Sequence, residues 1–163
     1  MESKSKIRRF RLLHLESELT KKEVKIELGC GSHPKDGFIG IDIRDYGQPI
    51  IWDITEGLPF EDSSVDEIYS QHCLEHIAKE DIRGVWEEMY RVLKEGHIAK
   101  IIVPHVNSDA GFLHDHLSQW NELAVNCLCN LGGSEDHNTN TNFELILNLR
   151  VNDELHIEVV AHK

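Results

Sequence analysis

The sequence predicts an α/β fold with a doubly wound, mostly parallel sheet and abbreviated helices. Five short apolar segments rich in Val and Ile have the composition of parallel strands covered on both faces: 24–28, 38–43, 49–52, 65–69 and 97–103. Only about ten residues separate the first two segments, and they include Pro34 and Gly37. The crossover helix usual between parallel strands is therefore expected to be a single turn or absent here.

The segment 80–94 has the pattern of an amphipathic helix. Acids crowd its start, Gly96 follows its end, and Glu87 is spaced to pair with Arg91. Its apolar residues recur at helical spacing on one face: Ile82, Val85, Trp86, Met89 and Leu93. This helix is expected to connect the fourth and fifth strands.

The part of the chain after Pro104 predicts a second helix, a mobile loop and a strand pair. The helix is expected over 110–131, with these residues facing inward: Leu113, Leu117, Trp120, Leu123 and Leu128. Gly, Ser, Asn, Asp and Thr over 132–142 indicate the loop. Alternating segments at 143–149 and 154–161 predict two strands joined near Asn152-Asp153.

The loop after the first strand carries the clearest functional signal. Glu27 closes that strand, Gly29 and Gly31 follow with one residue between them, and Asp42 closes the second strand. Glycine has no Cβ, so this loop can take positive φ and let a ligand lie against the backbone, where free N–H groups serve as donors. The arrangement predicts a nucleoside cofactor at the carboxyl edge of the sheet.

Missing features narrow the class of cofactor. A dinucleotide fingerprint needs a third glycine where Pro34 stands, and an acid about 20 residues further on rather than at Asp42. The chain also lacks the Gly-Lys-Ser/Thr of a triphosphate-binding loop. These absences favour a cofactor without phosphate groups.

Four later blocks carry a resemblance to a known family. They are Leu58–Ser70, Cys73–Ile77, Tyr90–Gly96 and 98–104, in that order along the chain. With the glycine loop, they are similar to class I S-adenosylmethionine-dependent methyltransferases, in particular the type 11 family related to the ubiquinone and menaquinone biosynthesis enzymes. The chain departs from this pattern at Glu95, where the family usually has proline, and at His97, where it usually has glycine.

The resemblance implies a Rossmann-like sheet whose final strand inserts antiparallel beside the fifth. It also implies S-adenosylmethionine as cofactor and methyl transfer to a small-molecule, glycan or lipid-precursor acceptor. The expected alternatives are a non-catalytic protein that binds S-adenosylmethionine or S-adenosylhomocysteine, and a zinc hydrolase. The last rests on His72-Cys73-Leu74-Glu75-His76, which matches the HxxEH pattern of inverzincins. The block resemblance, with no evident third ligand, favours a chain without a metal.

The resemblance assigns cofactor contacts to the ends of the first four strands. Glu27 would help to hold the methionine amino group through water, and the acceptor-only carboxylate of Asp42 suits the two ribose hydroxyls. Asp53, with the backbone of Ile54, would accept hydrogen bonds from the adenine amine. Trp52 or Leu58 would cover the adenine ring. The remaining predicted contacts are Gly29, Cys30 and Gly31 in the loop, and Ser70, Gln71 and His72 after the fourth strand.

Histidines after the fifth strand are candidates for a general base. Imidazole suits proton transfer near neutral pH, and a base is needed only if the acceptor attacks through a hydroxyl or amine that must lose a proton. His105 is one candidate. His116 is the other, since Asp115-His116 with Trp120 is similar to a stretch common in these methyltransferases.

The length of 163 residues predicts one domain over 1–163. Its expected parts are a basic helix over 1–22, a cofactor-binding core over 24–104, and an acceptor side over 105–163. No apolar stretch approaches the roughly 20 residues of a membrane span, and the N-terminus lacks a signal-peptide core, so a cytoplasmic protein is expected. The four cysteines show no disulfide spacing and are expected to be reduced.

Charge argues against nucleic acid as a partner. The net charge is −12, and after residue 25 the chain has nine Lys or Arg against twenty-five Asp or Glu. Binding to nucleic acid usually depends on neutralising phosphates with a basic surface. The sequence therefore favours a small-molecule acceptor.

Overall fold

A computed structural model of the chain describes residues 23–131 and 139–163. Two predictions lie outside these residues. They are the basic helix over 1–22 and most of the mobile loop over 132–142.

A single mixed sheet organises the described residues. Its seven strands are β1 (Lys25–Leu28), β2 (Ile39–Asp42), β3 (Ile50–Ile51), β4 (Val65–Gln71), β5 (Leu93–Pro104), β6 (Phe143–Val151) and β7 (Glu154–Ala161). They lie in the order β3-β2-β1-β4-β5-β7-β6. Strands β1 to β5 are parallel to one another, whereas β7 is antiparallel to both β5 and β6. This confirms the predicted Rossmann-like class and the antiparallel last strand beside β5.

The parallel strands bring their carboxyl ends to one edge of the sheet. The connection from β1 to β2 contains only turns, as the short spacing predicted. A 3₁₀ helix, Ile54–Glu56, follows β3, and a second, Leu74–His76, follows β4. Because β3, β2, β1 and β4 are adjacent parallel strands, the residues that follow them lie close together.

Helix α1 (Lys79–Val92) is the crossover between β4 and β5. Four of the five residues predicted for its buried face are buried there, whereas the fifth, Leu93, begins β5. The edge of the Trp86 ring meets Phe143 with 5.4 Å between centroids, which ties α1 to the start of β6. The expected ion pair between Glu87 and Arg91 is wrong. Arg91 instead binds Glu88 at 2.7 Å, one helical turn back.

The loop before β4 is fastened to α1 through Arg91. Its guanidinium contacts Asp62 at 2.6 Å and donates to the carbonyls of Leu58 and Phe60, both at 2.9 Å. Glu88 accepts from the Leu58 amide at 2.7 Å. Arg91 lowers the pKa of Glu88. This network fixes the loop that leads into the central strand β4.

The single helix predicted over 110–131 is wrong. The structure has a 3₁₀ turn at Ala110–Phe112, an extended stretch, and then a short helix α2 (Glu122–Leu128) that the Asn121 side chain caps by accepting from Ala124 N at 2.9 Å. The leucines expected to face inward at 113, 117 and 123 are exposed, whereas Trp120 is buried as predicted.

The extended stretch is held by hydrogen bonds that a helix could not make. The amides of Leu117 and Ser118 donate to the Glu75 carbonyl at 2.7 and 3.1 Å, and Ser118 Oγ donates to the Leu74 carbonyl at 2.9 Å. These long-range bonds satisfy polar groups beside the sheet edge and override the local leucine spacing.

The last two strands form the predicted hairpin. Strands β6 and β7 are joined at Asn152-Asp153, where Asn152 takes a φ of +56°. Asparagine tolerates this left-handed conformation, as hairpin turns require. Among the described residues, no helix is long and apolar enough to cross a membrane.

Candidate cofactor site

The glycine loop after β1 requires glycine for two separate reasons. Gly29 and Gly31 have φ of +69° and +55°, in the left-handed region that favours glycine. A Cβ on Gly29 would also lie 2.5 Å from both Cβ and Sγ of Cys73, whereas a Cβ on Gly31 would meet nothing within 4 Å. Position 29 therefore needs a bare backbone for packing as well as for conformation.

The backbone N–H groups of this loop are used within the protein. Gly29 N and Cys30 N donate to the Ile41 carbonyl at 2.8 and 3.1 Å, and Gly31 N donates to Asp42 Oδ2 at 2.9 Å. The prediction that free N–H groups here would serve a ligand is wrong for these three residues. The loop offers a ligand open space against the backbone rather than donors.

Asp42 lies at the centre of the site. Its Oδ2 accepts from Gly31 N and its Oδ1 accepts from Arg44 N, both at 2.9 Å. A carboxylate has about four acceptor positions, so these bonds fix the side chain and leave further positions for a ligand. The half-buried carboxylate can accept from two neighbouring hydroxyls while it holds the loop.

A cavity of about 590 Å³ opens beside the loop and Asp42. This volume falls within the range of small-molecule sites, about 300–1,000 Å³. Six of the predicted cofactor residues line it: Gly29, Gly31, Asp42, Asp53, Ile54 and His72. Eight lining residues were not predicted: Ile41, Ile43, Arg44, Tyr46, Cys73, His76, Ile77 and Asp115.

Glu27 and Ser70 are not among the lining residues. Glu27 is buried, and its Oε2 accepts from Lys35 N at 2.5 Å, which closes the loop between β1 and β2. Ser70 is completely buried, and its Oγ donates to the Leu28 carbonyl at 3.4 Å. Both side chains make hydrogen bonds within the protein near the strand ends. Their contacts with the cofactor stay predictions.

Cys30 and Gln71 also lie outside the cavity lining. Burial, followed by the charges of Asp42 and Glu27, raises the pKa of Cys30 to about 11, so this thiol stays protonated. Gln71 is exposed and accepts from the Tyr69 hydroxyl at 2.7 Å. The predicted contacts of Cys30 and Gln71 stay predictions as well.

One end of the cavity is built from the residues after β3. Asp53 caps the 3₁₀ helix, since its Oδ1 accepts from both N and Oγ1 of Thr55 at 2.9 and 2.7 Å. Trp52 lies in the wall, and its Nε1 donates to the Gly57 carbonyl at 2.7 Å. The result is a fixed indole beside a carboxylate, which suits a flat ring that carries an amine.

The other end is built from the residues after β4. His72 has a φ of +52°, and its ring nitrogens contact Glu75 Oε1 at 3.3 Å and Glu154 Oε1 at 2.9 Å. Burial, followed by the Glu75 charge, raises the pKa of Cys73 to about 12, so its thiol is a neutral part of the wall. Only Leu74–His76 is helical, so His72 and His76 do not share the single helix that the HxxEH zinc hydrolase hypothesis requires.

The two predicted bases occupy different surroundings. His105 is buried, its Nε2 contacts Glu122 Oε2 at 3.2 Å, and its Nδ1 accepts from Asn107 N at 3.1 Å. His116 is next to the lining residue Asp115, and its ring lies edge-on to that of His76 with centroids 4.9 Å apart. Neither histidine lines the cavity, but the His116 ring contacts that of the lining residue His76.

Comparison with known proteins agrees with this architecture. Residues 41–99 match the family described as a methyltransferase domain. The sequence has no match among the curated proteins. The fold is similar to that of an S-adenosylmethionine-dependent methyltransferase from Aquifex aeolicus, with a TM-score of 0.60, 17% identity, and 96% of this chain and 97% of that chain covered.

Two further solved structures carry ligands related to the predicted cofactor. One is the 1,6-didemethyltoxoflavin-N1-methyltransferase of Burkholderia thailandensis with 1,6-didemethyltoxoflavin and S-adenosylhomocysteine, with a TM-score of 0.62, 13% identity, and 97% of this chain and 79% of that chain covered. The other is the 16S rRNA (adenine(1408)-N(1))-methyltransferase of Catenulisporales acidiphilia with S-adenosylmethionine, with a TM-score of 0.59, 14% identity, and 92% and 90% covered.

The fold and the family match point to one class of protein. The described residues have the fold of S-adenosylmethionine-dependent methyltransferases of known structure, and residues 41–99 match the methyltransferase-domain family. At identities of 13–17%, the similarity to these solved structures concerns the fold alone. The acceptor has to be inferred from the residues of this chain.

Proposed function

We propose that this chain is an S-adenosylmethionine-dependent methyltransferase that acts on a small-molecule, glycan or lipid-precursor acceptor, with the ribose of the cofactor held by Asp42. The observation that carries the proposal is the double use of this carboxylate. It fixes the glycine loop through Gly31 N, and it lines the cavity with acceptor positions left for two ribose hydroxyls. The adenine would lie beside Trp52, with Asp53 and the backbone of Ile54 accepting from its amine.

The acceptor would enter beside the residues after β4. His76, Ile77 and Asp115 line that end of the cavity, and they come from two segments that the Glu75 carbonyl joins. When bound, the cosubstrate supplies an activated methyl group on its sulfonium. The residues around it mainly align the acceptor and exclude water, which can offset roughly 7–11 kcal/mol of the barrier.

Charge favours a small acceptor over a nucleic acid. Beyond residue 25 the acids outnumber the bases by twenty-five to nine, and Asp115 adds a carboxylate at the acceptor end. A polyanion would be repelled by this surface, whereas a small neutral or cationic acceptor would not. The structural similarity to an rRNA methyltransferase makes RNA the alternative acceptor class. An experiment must distinguish RNA from the proposed small acceptors.

Calorimetry with S-adenosylmethionine, S-adenosylhomocysteine and NAD tests the cofactor site. We expect micromolar binding of the first two ligands and none of NAD. Asp42→Asn keeps the size of the side chain but removes its charge and one acceptor, so binding should weaken at least tenfold. Asp45→Ala is the matched control, because this exposed acid of the adjacent loop caps Gly47 N and does not line the cavity. Equal affinity in both variants would refute the role of Asp42.

Methyl transfer from radiolabelled S-adenosylmethionine tests the acceptor class. Purified enzyme is incubated with separate small-molecule, lipid-extractable and RNA fractions of a cell extract. We expect label in one of the first two fractions. Label found only in RNA, and released by ribonuclease, would overturn the small-molecule proposal while leaving the cofactor site intact.

A further inference from the structure

Three potential metal ligands converge at the acceptor end of the cavity. Glu75, His76 and His116 each offer one ligand atom, and these atoms lie within 4.8 Å of one another. Glu75 and His76 belong to the 3₁₀ turn after β4, whereas His116 comes from the extended stretch after β5. The fold therefore brings the cluster together from two distant parts of the sequence.

Two atoms of this cluster are buried without a partner. Glu75 is 1% exposed, and its Oε2 has no hydrogen bond. The Nδ1 atom of His116 is likewise buried and without a partner. Among the described residues only four buried side-chain atoms lack a partner, and two of them are in this one cluster. Unpartnered buried polar atoms are costly and call for an explanation. A cation between the three side chains would satisfy both atoms.

The remaining atoms of the cluster are already held in place. Glu75 Oε1 contacts His72 Nδ1 at 3.3 Å, which leaves Oε2 for a ligand. His76 Nδ1 lies 3.1 Å from the Asp115 carbonyl. This bond selects the tautomer with the proton on Nδ1 and leaves Nε2 to ligate, as is usual for metal-binding histidines.

The backbone also positions His116. The amides of Leu117 and Ser118, which follow His116 in the chain, donate to the Glu75 carbonyl. The residue that carries the buried carboxylate therefore anchors the segment that carries the second imidazole. A site formed in this way is ordered before an ion arrives.

We propose that Glu75, His76 and His116 bind a divalent transition-metal ion, with zinc the best match. Two imidazoles and one carboxylate form a donor set that zinc accepts with a fourth position open, whereas magnesium prefers oxygen ligands. His76 also lines the cavity, so the ion borders the space for the acceptor. The site differs from the HxxEH pair, because His116 takes the place of His72. The proposal concerns metal binding only, and it does not depend on the identity of the methyl acceptor.

Zinc titration of the full, chelator-stripped chain tests the proposal. Competition with a chromophoric zinc chelator gives affinity and stoichiometry, without S-adenosylmethionine and independently of activity. We expect one high-affinity equivalent in the parent protein, and at least tenfold weaker binding at this site in His116→Gln. His114→Gln is the matched control, because this exposed neighbour is outside the cluster, and it should bind like the parent.

A second measurement covers the case in which a variant folds poorly. Zinc should raise the unfolding temperature of the parent protein and of His114→Gln, because an ion that binds only the native state stabilises it. Cobalt substituted for zinc in the parent should give visible ligand-field absorption that zinc displaces. Equal zinc affinity in the two variants, magnesium binding as tight as zinc, or no cobalt absorption in the parent protein would each overturn the site.

Discussion

Gly29→Ala tests whether the loop after β1 is shaped by close packing as well as by backbone conformation. At a φ of +69° an alanine carries a left-handed penalty of about 1–2 kcal/mol. Its Cβ would also lie 2.5 Å from Cβ and Sγ of Cys73, and such overpacking typically costs about 1–3 kcal/mol. The expected total loss in the free energy of unfolding is about 2–5 kcal/mol.

Gly31→Ala separates the two causes. Its φ of +55° carries the same left-handed penalty, but a Cβ there would meet no atom within 4 Å. We therefore expect a loss of about 1–2 kcal/mol for this variant. The difference between the two variants reports the contact with Cys73 alone.

Urea denaturation, followed by tryptophan fluorescence and far-ultraviolet circular dichroism, measures both losses. The double variant Gly29→Ala/Cys73→Gly removes both overlapping atoms, so it should recover the overpacking part as a coupling energy of about 1–3 kcal/mol. Equal losses in the two single variants, to within about 0.5 kcal/mol, would show that the contact with Cys73 has no energetic role.

Three further predictions concern the network around Arg91 and the Cys73 thiol. Arg91→Met should lower the free energy of unfolding by about 2–3 kcal/mol, measured by urea denaturation, because Glu88, Asp62 and two carbonyls lose their donor. The loss stays moderate because the Arg91 side chain is about one-third exposed, so solvent screens its ion pairs. Arg91 lowers the pKa of Glu88, so its stabilising contribution is present above the ordinary value of 4.5 and is lost as pH falls through the lowered folded pKa. Stability measured against pH should therefore decline below about 4.5, and the decline should be shallower in Glu88→Gln; an identical decline would contradict the assignment. The pKa of Cys73, raised to about 12, predicts slow alkylation by iodoacetamide at neutral pH, which peptide mass spectrometry can compare between native and denatured protein.

The sheet and its first helix could be predicted from sequence because their signals are local. Apolar runs rich in Val and Ile identify strands, and the spacing from Ile82 to Met89 identifies one face of α1. The two loop glycines were identified for the same reason, because their positive φ favours glycine. Asp42 was identified from its position at the end of the second strand.

The second predicted helix failed because tertiary hydrogen bonds outweigh local spacing. Leucines at 113, 117 and 123 recur at intervals that favour a helix, but the Glu75 carbonyl draws the chain into an extended path instead. Glu87 was expected to bind Arg91 at a spacing of four residues. The guanidinium instead lies over the loop before β4, where Glu88 is the nearer partner.

The placement of individual site residues depended on facts that one sequence does not contain. The alternation of β4 turns Ser70 into the core, and Gln71 is exposed on the outside. Asp115 and His76 meet only because a distant segment folds back onto the turn after β4. Spacing along the chain gave no sign of this approach, although the Asp115-His116 stretch did indicate a role for that segment.

The attachment of the stretch after β5 to the Glu75 carbonyl uses main-chain amides at Leu117 and Ser118. Any residue except proline can supply such an amide. Exposed positions such as Phe112, Leu113 and Leu117 can therefore change identity while the segment keeps its path. The anchorage of the segment is thus independent of its exposed side chains, so substitutions at these positions should leave Asp115 and His116 where they are.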